Sequence, residues 1–351
     1  MPELLRRHTT LRLGGPARRW VEATTEAELV EAVAAADRSG EPLLLLAGGS
    51  NLVVSDAGFE GTVVHVATRG FAVDPEVTPG DPACGGVGVR VAAGENWDTV
   101  VAQAVERGWV GIEALSGIPG SVGATPIQNV GAYGQEVAET VARVRTWDRV
   151  SGEIRTLANA DCGFGYRDSR FKAGPGRFVV LDVTFQFTTG TLGAPVRYAE
   201  LARRLDVEEG GRAPLADVRS AVLDLRRGKG MVLDPDDHDT WSAGSFFTNP
   251  RLARAEADGL PEGAPRFPQA DGTVKTSAAW LIERAGFGKG YGLERSGGRA
   301  GLSTKHTLAL TNRGEASTDD LLTLAREIRD GVEQRFGVRL VSEPVLVGCT
   351  L

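Results

Sequence analysis

GIPGSVGATPIQNVGAYGQE, residues Gly117 to Glu136, is the stretch around which the rest of the chain can be organised. Gly117, Gly120, Gly123, Gly131 and Gly134 crowd into it, and Pro119 and Pro126 interrupt it. Glycine loses the most backbone freedom on ordering and proline has no N–H to donate, so neither a regular helix nor a central strand is expected here. Such a segment can bring backbone N–H groups close to a ligand and line an anion-binding concavity. Gln128, Asn129 and Tyr133 add polar and aromatic groups with little bulk around them. Taken alone, the same composition also fits an irregular surface loop.

A second stretch favours the ligand reading. Leu43-Leu44-Leu45-Leu46 reads as a short buried strand, and Ala47-Gly48-Gly49-Ser50-Asn51 follows it at once. A glycine turn at the end of a strand exposes N–H donors. The pattern is neither GxGxxG nor a Walker loop. Lys229 and Lys289 each follow a glycine, but each is followed by glycine rather than Ser or Thr. Nucleotide binding here is therefore not expected to be of the Rossmann or P-loop kind.

The 351-residue chain is long enough for two or three domains. A net charge of −7 argues against nonspecific binding to nucleic acid or anionic membrane, so an anionic substrate needs a local basic site. No apolar run reaches the roughly 18 residues of a membrane span. Arg6 and Arg7 are not followed by an apolar h-region, so no secretory signal is expected. Cys84, Cys162 and Cys349 are far apart and odd in number, which fits reduced, inert thiols in a cytoplasmic protein. Asp234-Pro235-Asp236-Asp237-His238-Asp239 lacks the spacing of an EF-hand and reads as a solvated acidic loop, so no metal is expected.

Local signals place the elements. Thr25-Glu26-Ala27-Glu28 is a capping box opening a helix to about Ser39, with Gly40 as its stop. Residues 61–67 and 86–92 read as strands, with an exposed hairpin tip over 74–86. A helix starts near Asn96 and ends at Gly108. Residues 141–149 and 153–157 form a hairpin, and 176–187 a strong strand. Residues 188–195 read as a linker, with the main boundary near 190. Leu215, Val218, Val222 and Leu225 share one helical face. Thr318 is the expected cap of a last helix stopped by Gly337, and 338–348 the closing strand. The fold class is α+β, with a cofactor half over 1–190, split near 68, and a substrate half over 191–351.

The two glycine stretches, together with His8–Ala17, Gly163–Ser169, Ala243–Pro250, Ala279–Glu283 and Ser342–Val345, resemble the UDP-N-acetylenolpyruvoylglucosamine reductases, the MurB flavoenzymes, type I in particular. The resemblance runs nearly end to end. It implies an FAD-binding domain of the vanillyl-alcohol-oxidase type followed by a smaller α+β substrate domain. It implies noncovalent FAD, NADPH as co-substrate, and reduction of UDP-N-acetylglucosamine enolpyruvate to UDP-N-acetylmuramate by a cytoplasmic monomer. A flavin oxidase acting on another substrate and a non-catalytic flavin- or nucleotide-binding paralogue are the alternatives. No His lies in either glycine stretch to tether a flavin; His65 is nearest and outside both.

By the same resemblance, Ser245 is the proton donor, Glu343 helps stabilise the enolate, and Arg167 forks onto the enolpyruvyl carboxylate. Each residue also has a plain alternative. Ser245 could bond its own turn, Glu343 could face solvent on an edge strand, and Arg167 could pair with a neighbouring acid. The cofactor is expected against Gly48, Gly49, Ser50, Asn51, Gly117, Ile118, Pro119, Gly120, Ser121, Gly123, Ala124, Gln128, Asn129, Gly131, Ala132 and Tyr133. Tyr198, Lys229 and Asn249 are expected at the substrate, although Lys229 also reads as a solvated helix end. His306 and Thr248 depart from residues often found at their places in the family.

Overall fold

The computed structural model describes residues 2–73 and 86–351; all of the hairpin tip expected over 74–86 except Gly86, and Cys84 within it, lies outside them. The chain divides into two compact units. One comprises Met1–Ala17, Gly49–Phe59 and Gly228–Leu351; the other comprises Arg18–Gly48 and Glu60–Arg227.

In the second unit the strand Ala17–Ala23 leads to the helix Glu26–Ser39, built as the capping box requires. Glu28 N–H donates to the Thr25 hydroxyl at 3.2 Å, and Thr25 N–H donates to the Glu28 carboxylate at 3.1 Å. Gly40 ends the helix at φ 68°. Leu43–Leu46 then runs parallel to Phe59–Val66, which Ala17–Ala23 flanks on its other side. Only Leu46 of the four leucines is fully buried; the other three are half-buried, so the strand is less enclosed than its run of leucines suggests.

A larger sheet runs in the order Glu153–Ala158, Val141–Asp148, Phe178–Thr189, Gly86–Ala92, Phe71–Val73, all antiparallel. Val87, Val89 and Val91 alternate into its core beside Phe185 and Phe187. The helix Trp97–Glu106 is capped by Asn96 and inserts Trp97, Val100, Val101 and Ala104. A small separate core joins Ala114 to Val196, Leu201, Val218 and Val222. It ties the helices Ala199–Leu205 and Leu215–Gly228 to the segment just before the first glycine stretch.

In the first unit the helix Thr318–Phe336 buries Leu321, Ala325, Ile328 and Val332 and ends at Gly337, φ 68°. Its cap is Ser317 rather than Thr318. Thr318 has a tertiary task instead: its hydroxyl donates to Val54 O at 2.6 Å and its N–H to Asp56 Oδ2 at 2.7 Å. The closing strand shortens from the expected 338–348 to Val345–Val347, which pairs in parallel with Leu52–Val54. Pro344, without an N–H, sits at its threshold.

Candidate functional site

The two glycine stretches meet. A Cβ on Gly48 would lie 2.5 Å from Gly120 Cα and 2.9 Å from its carbonyl carbon, so bare backbone touches bare backbone. Gly123 is equally confined, with Ala93 Cβ 2.5 Å from the position of a Cβ. Not every amide of the Gly117 stretch faces outward, as the composition suggested. Gly117 N–H donates to Asp98 Oδ1 at 2.6 Å, Val122 N–H to Glu95 O at 2.9 Å and Gly123 N–H to Ala93 O at 2.8 Å. Nor is the stretch wholly irregular, because Thr125–Gln128 forms one helical turn. Ser121 is buried and bridges to Asn96, while Ile118, Pro119, Ala124 and Gln128 are half-buried along the same path. A dinucleotide pyrophosphate requires close backbone approach without side-chain bulk, and this glycine seam fits that requirement.

Asp98 fastens the seam. Arg219, from the helix Leu215–Gly228, donates to both Asp98 oxygens at 2.7 and 2.9 Å. Burial alone would raise the Asp98 pKa; the Arg219 fork and Gly117 N–H outweigh it and hold the carboxyl below its ordinary value. Its stabilising contribution is therefore full at neutral pH and is lost as pH falls below the unfolded carboxyl value of about 4. Asp98→Ala removes these charged hydrogen bonds. It is expected to cost about 2 kcal/mol in urea unfolding and to weaken FAD retention.

A strained cluster lies beside the seam. Asn129, Tyr133 and Arg167 all have positive φ (42°, 49° and 52°), a region that L-residues with side chains avoid. They are interlocked. Arg167 Nη2 donates to Gly131 O at 2.6 Å and Nη1 to Asn129 O at 3.3 Å. Asn129, almost fully buried, donates through Nδ2 to Gly165 O and Glu136 Oε2, both at 2.9 Å, and accepts Ala138 N–H at 3.2 Å. Its amide thus shapes the loop. Gly131–Ala132 pairs with Gln135–Glu136, closing a hairpin whose turn carries Tyr133. The Tyr133 ring meets Tyr198 edge-on, centroids 5.4 Å apart. Tyr198 stands at the N-cap of Ala199–Leu205, 43 % exposed. Backbone strain of this kind persists where surrounding contacts over-determine it, and it gathers at functional sites.

In the first unit, Ser245 and Glu343 lie on adjoining antiparallel backbone. Glu343 N–H donates to Phe246 O at 2.8 Å, Phe247 bridges Ser342, and Thr248 N–H donates to Val341 O at 3.1 Å. Ser245 is half-buried, and its hydroxyl makes no hydrogen bond among the described residues; the self-bonding turn serine is Ser242, which accepts Gly244 N–H at 3.2 Å. Glu343 is half-buried between Val341 and Val345, 64 % and 53 % exposed. The Gly48–Asn51 turn reaches this segment through Asn51, whose O accepts Val345 N–H at 3.0 Å and whose Nδ2 donates to Glu343 O at 3.4 Å. Gly49 is at φ 58°, and a Cβ there would lie 1.9 Å from the His8 carbonyl oxygen; Ser50 beside it is half-buried.

Lys229 is half-buried just past the helix Leu215–Gly228. Asn249 spends its Oδ1 on Ala278 N–H, 3.0 Å, at the start of the helix Ala278–Arg284. His306 Nδ1 accepts Leu308 N–H at 3.0 Å, and Leu308 O accepts Phe246 N–H at 2.7 Å, a relay that leads to Ser245's neighbour. The acidic loop is not fully solvated. Asp239 is buried and binds Thr304 and Arg313, and Asp237 pairs with Lys305. Cys162 is buried, which pushes its thiol up to about 11. No motif in the sequence points to the Asp98–Arg219 fork, whose partners lie 121 residues apart.

Residues 17–158 match the FAD binding domain family. With the glycine seam inside that span, the chain is a flavoprotein of that class. Residues 234–347 match the family described as UDP-N-acetylenolpyruvoylglucosamine reductase, C-terminal domain. The chain is 60 % identical over 343 residues to the UDP-N-acetylenolpyruvoylglucosamine reductase of Cutibacterium acnes, covering 98 % of this chain and 89 % of that one. Against the enzyme of the same name from Streptomyces coelicolor it is 58 % identical over 354 residues, with coverage of 98 % and 88 %. The crystal structure of UDP-N-acetylenolpyruvylglucosamine reductase (MurB) from Thermus caldophilus superposes with a TM-score of 0.62 at 25 % identity, covering 99 % and 98 % of the two chains. The chain belongs to the UDP-N-acetylenolpyruvoylglucosamine reductase family.

Proposed function

We propose that this protein has UDP-N-acetylmuramate dehydrogenase activity, reducing UDP-N-acetylglucosamine enolpyruvate to UDP-N-acetylmuramate for peptidoglycan precursor synthesis. The supporting observation is the adjoining placement of Ser245 and Glu343, with the Ser245 hydroxyl uncommitted to its own turn. Noncovalently bound FAD supplies the hydride relay from NADPH to the terminal CH₂ carbon of the substrate. The chain's own residues bind, orient and protonate. Arg167 holds the enolpyruvyl carboxylate and offsets the negative charge that develops at the neighbouring carbon. Glu343 stabilises the enolate, and Ser245 delivers the proton to that carbon. Tyr198, Lys229 and Asn249 meet the nucleotide-sugar diphosphate. On this reading residues 1–190 form the FAD-binding domain and residues 191–351 the substrate-binding domain. The protein acts as a cytoplasmic monomer on this reading; among the described residues no helix is long and apolar enough to cross a membrane.

An anaerobic stopped-flow trace at the flavin band tests this directly. NADPH bleaches the band and UDP-N-acetylglucosamine enolpyruvate restores it. Bleaching without recovery rejects the substrate, and absence of a flavin band after FAD reconstitution rejects the reading of both glycine stretches. Arg167→Lys keeps the charge but loses the planar fork. It is expected to lower kcat/KM for the enolpyruvyl substrate by about 10- to 100-fold while flavin reduction by NADPH stays within about twofold. Equal losses in both half-reactions would reject the carboxylate role.

A further inference from the structure

The turn Thr9–Leu13 contains none of the residues assigned above, yet it touches two backbone segments of the proposed site within its own unit. Thr10 is buried. Its N–H donates to Gly49 O at 3.2 Å, and its hydroxyl donates to Ser242 O at 2.6 Å. Gly49 lies in the turn assigned to the cofactor. Ser242 opens the turn that presents Ser245. A threonine hydroxyl has one proton to donate, and this one is committed to the Ser242 carbonyl.

The turn is itself held from several sides. Arg12 N–H donates to Thr9 O at 3.1 Å, and the Thr9 hydroxyl donates to Leu13 O at 2.9 Å. Asn312, buried, donates through Nδ2 to Leu11 O at 3.0 Å and Arg12 O at 3.3 Å, while its N–H donates to Trp241 O at 3.0 Å. Arg12 adopts φ 52° and lays its guanidinium 3.9 Å from the centroid of the Trp241 ring. Strain at Arg12 is tolerated because these contacts over-determine it. They converge on the Trp241–Ser242 backbone.

We propose that Thr10 is a positioning residue for proton delivery: its hydroxyl fixes the Ser242 carbonyl, and through it the Ser245 turn, relative to Gly49. The proposal rests on the reading of Ser245 as proton donor. A displacement of about 1 Å at a reacting group can cost about 100-fold in rate, so one buried hydrogen bond upstream of Ser245 has kinetic reach.

Thr10→Val and Thr10→Ser in the FAD-loaded enzyme separate this role from packing. Two readouts are taken: hydrogen exchange at the Gly244 and Phe246 amides, and the two flavin half-reactions. In Thr10→Val, exchange at Gly244 and Phe246 accelerates by about tenfold while the Val345 amide and the helix Thr318–Phe336 keep their protection. Reoxidation by UDP-N-acetylglucosamine enolpyruvate slows by about 10- to 100-fold, and reduction by NADPH stays within about twofold. Thr10→Ser, which keeps the donor and drops the methyl, matches the unaltered enzyme in both readouts. Unchanged exchange at Gly244 and Phe246 overturns the proposal, as does acceleration spread evenly over the unit. A Thr10→Ser variant as impaired as Thr10→Val assigns the effect to packing and also overturns it. Should Thr10→Val not fold, Thr10→Cys, with a similar volume and a weaker donor, is held to the same criteria. If the unaltered enzyme itself is not reoxidised, the function proposed above fails while the exchange experiment still decides the Thr10 coupling.

Discussion

Ser245→Ala is expected to leave flavin reduction by NADPH within about twofold and to slow reoxidation by UDP-N-acetylglucosamine enolpyruvate by about 10²- to 10⁴-fold, the range of a positioned general acid. A hydroxyl is a weak acid in water, but the carbon to be protonated is a strong base once hydride has arrived beside it. The acid must therefore be near and free to donate. The structure meets the second condition: the local turn bond that would occupy a serine is made by Ser242, three residues earlier, leaving Ser245 to other work. The substitution removes one oxygen from a half-buried side chain, so its effect on stability is expected within about 0.5 kcal/mol. Half-reactions measured separately distinguish a missing proton from a damaged fold. Equal reoxidation rates in the two proteins would remove Ser245 from the chemistry.

Gly48→Ala is expected to reduce FAD affinity by about 10- to 100-fold, measured by flavin fluorescence on titration of the apoprotein. The added methyl would sit 2.5 Å from Gly120 Cα and 3.2 Å from Ser121 N. The obstacle is backbone, which cannot swing aside as a side-chain end can. Relief requires separating the two glycine turns, at the 1–3 kcal/mol typical of overpacking, or about 10- to 100-fold in an equilibrium. Gly49→Ala is more severe. Its methyl would meet His8 O at 1.9 Å, from a residue already at φ 58°, so folded protein is not expected to accumulate. Gly40→Ala is the matched comparison: its φ is also positive at 68°, but nothing lies within 4 Å of the added methyl. It should cost only the conformational penalty, about 1 kcal/mol in thermal melting, and leave FAD binding unchanged.

The contrast between these glycines marks what could be read from the chain. Gly40 and Gly337 act through their own φ, a local property, and both helix ends fall where expected. The capping box at Thr25 is local too. Gly48 and Gly120 were expected to act separately on a ligand; that they act on each other is a property of the fold. Thr318 was the expected cap because its side chain is suitable, but a neighbouring serine is equally suitable, and the contact of Thr318 with Val54 decides between them. Nothing in the spacing of Thr10 and Ser242, 232 residues apart, foreshadows their bond. Asp98 and Arg219 lie 121 residues apart in the chain, and no motif links them. Their pairing across the Gly117 amide is legible only once both helices are in place.

The parallel pairing of Val345–Val347 with Leu52–Val54 has a consequence for the order of synthesis. The strand that borders the Gly48–Asn51 turn leaves the ribosome long before its mate, about 290 residues downstream, Asn51 and Glu343 being 292 apart. The unit ending at Arg227 contains its own sheet and core and can fold in the interval. The other unit carries an open strand edge until residues 345–347 have been made. A premature stop after Ser342 would therefore spare the larger antiparallel sheet while leaving Leu52–Val54 unmated, a template for aggregation in a nascent chain.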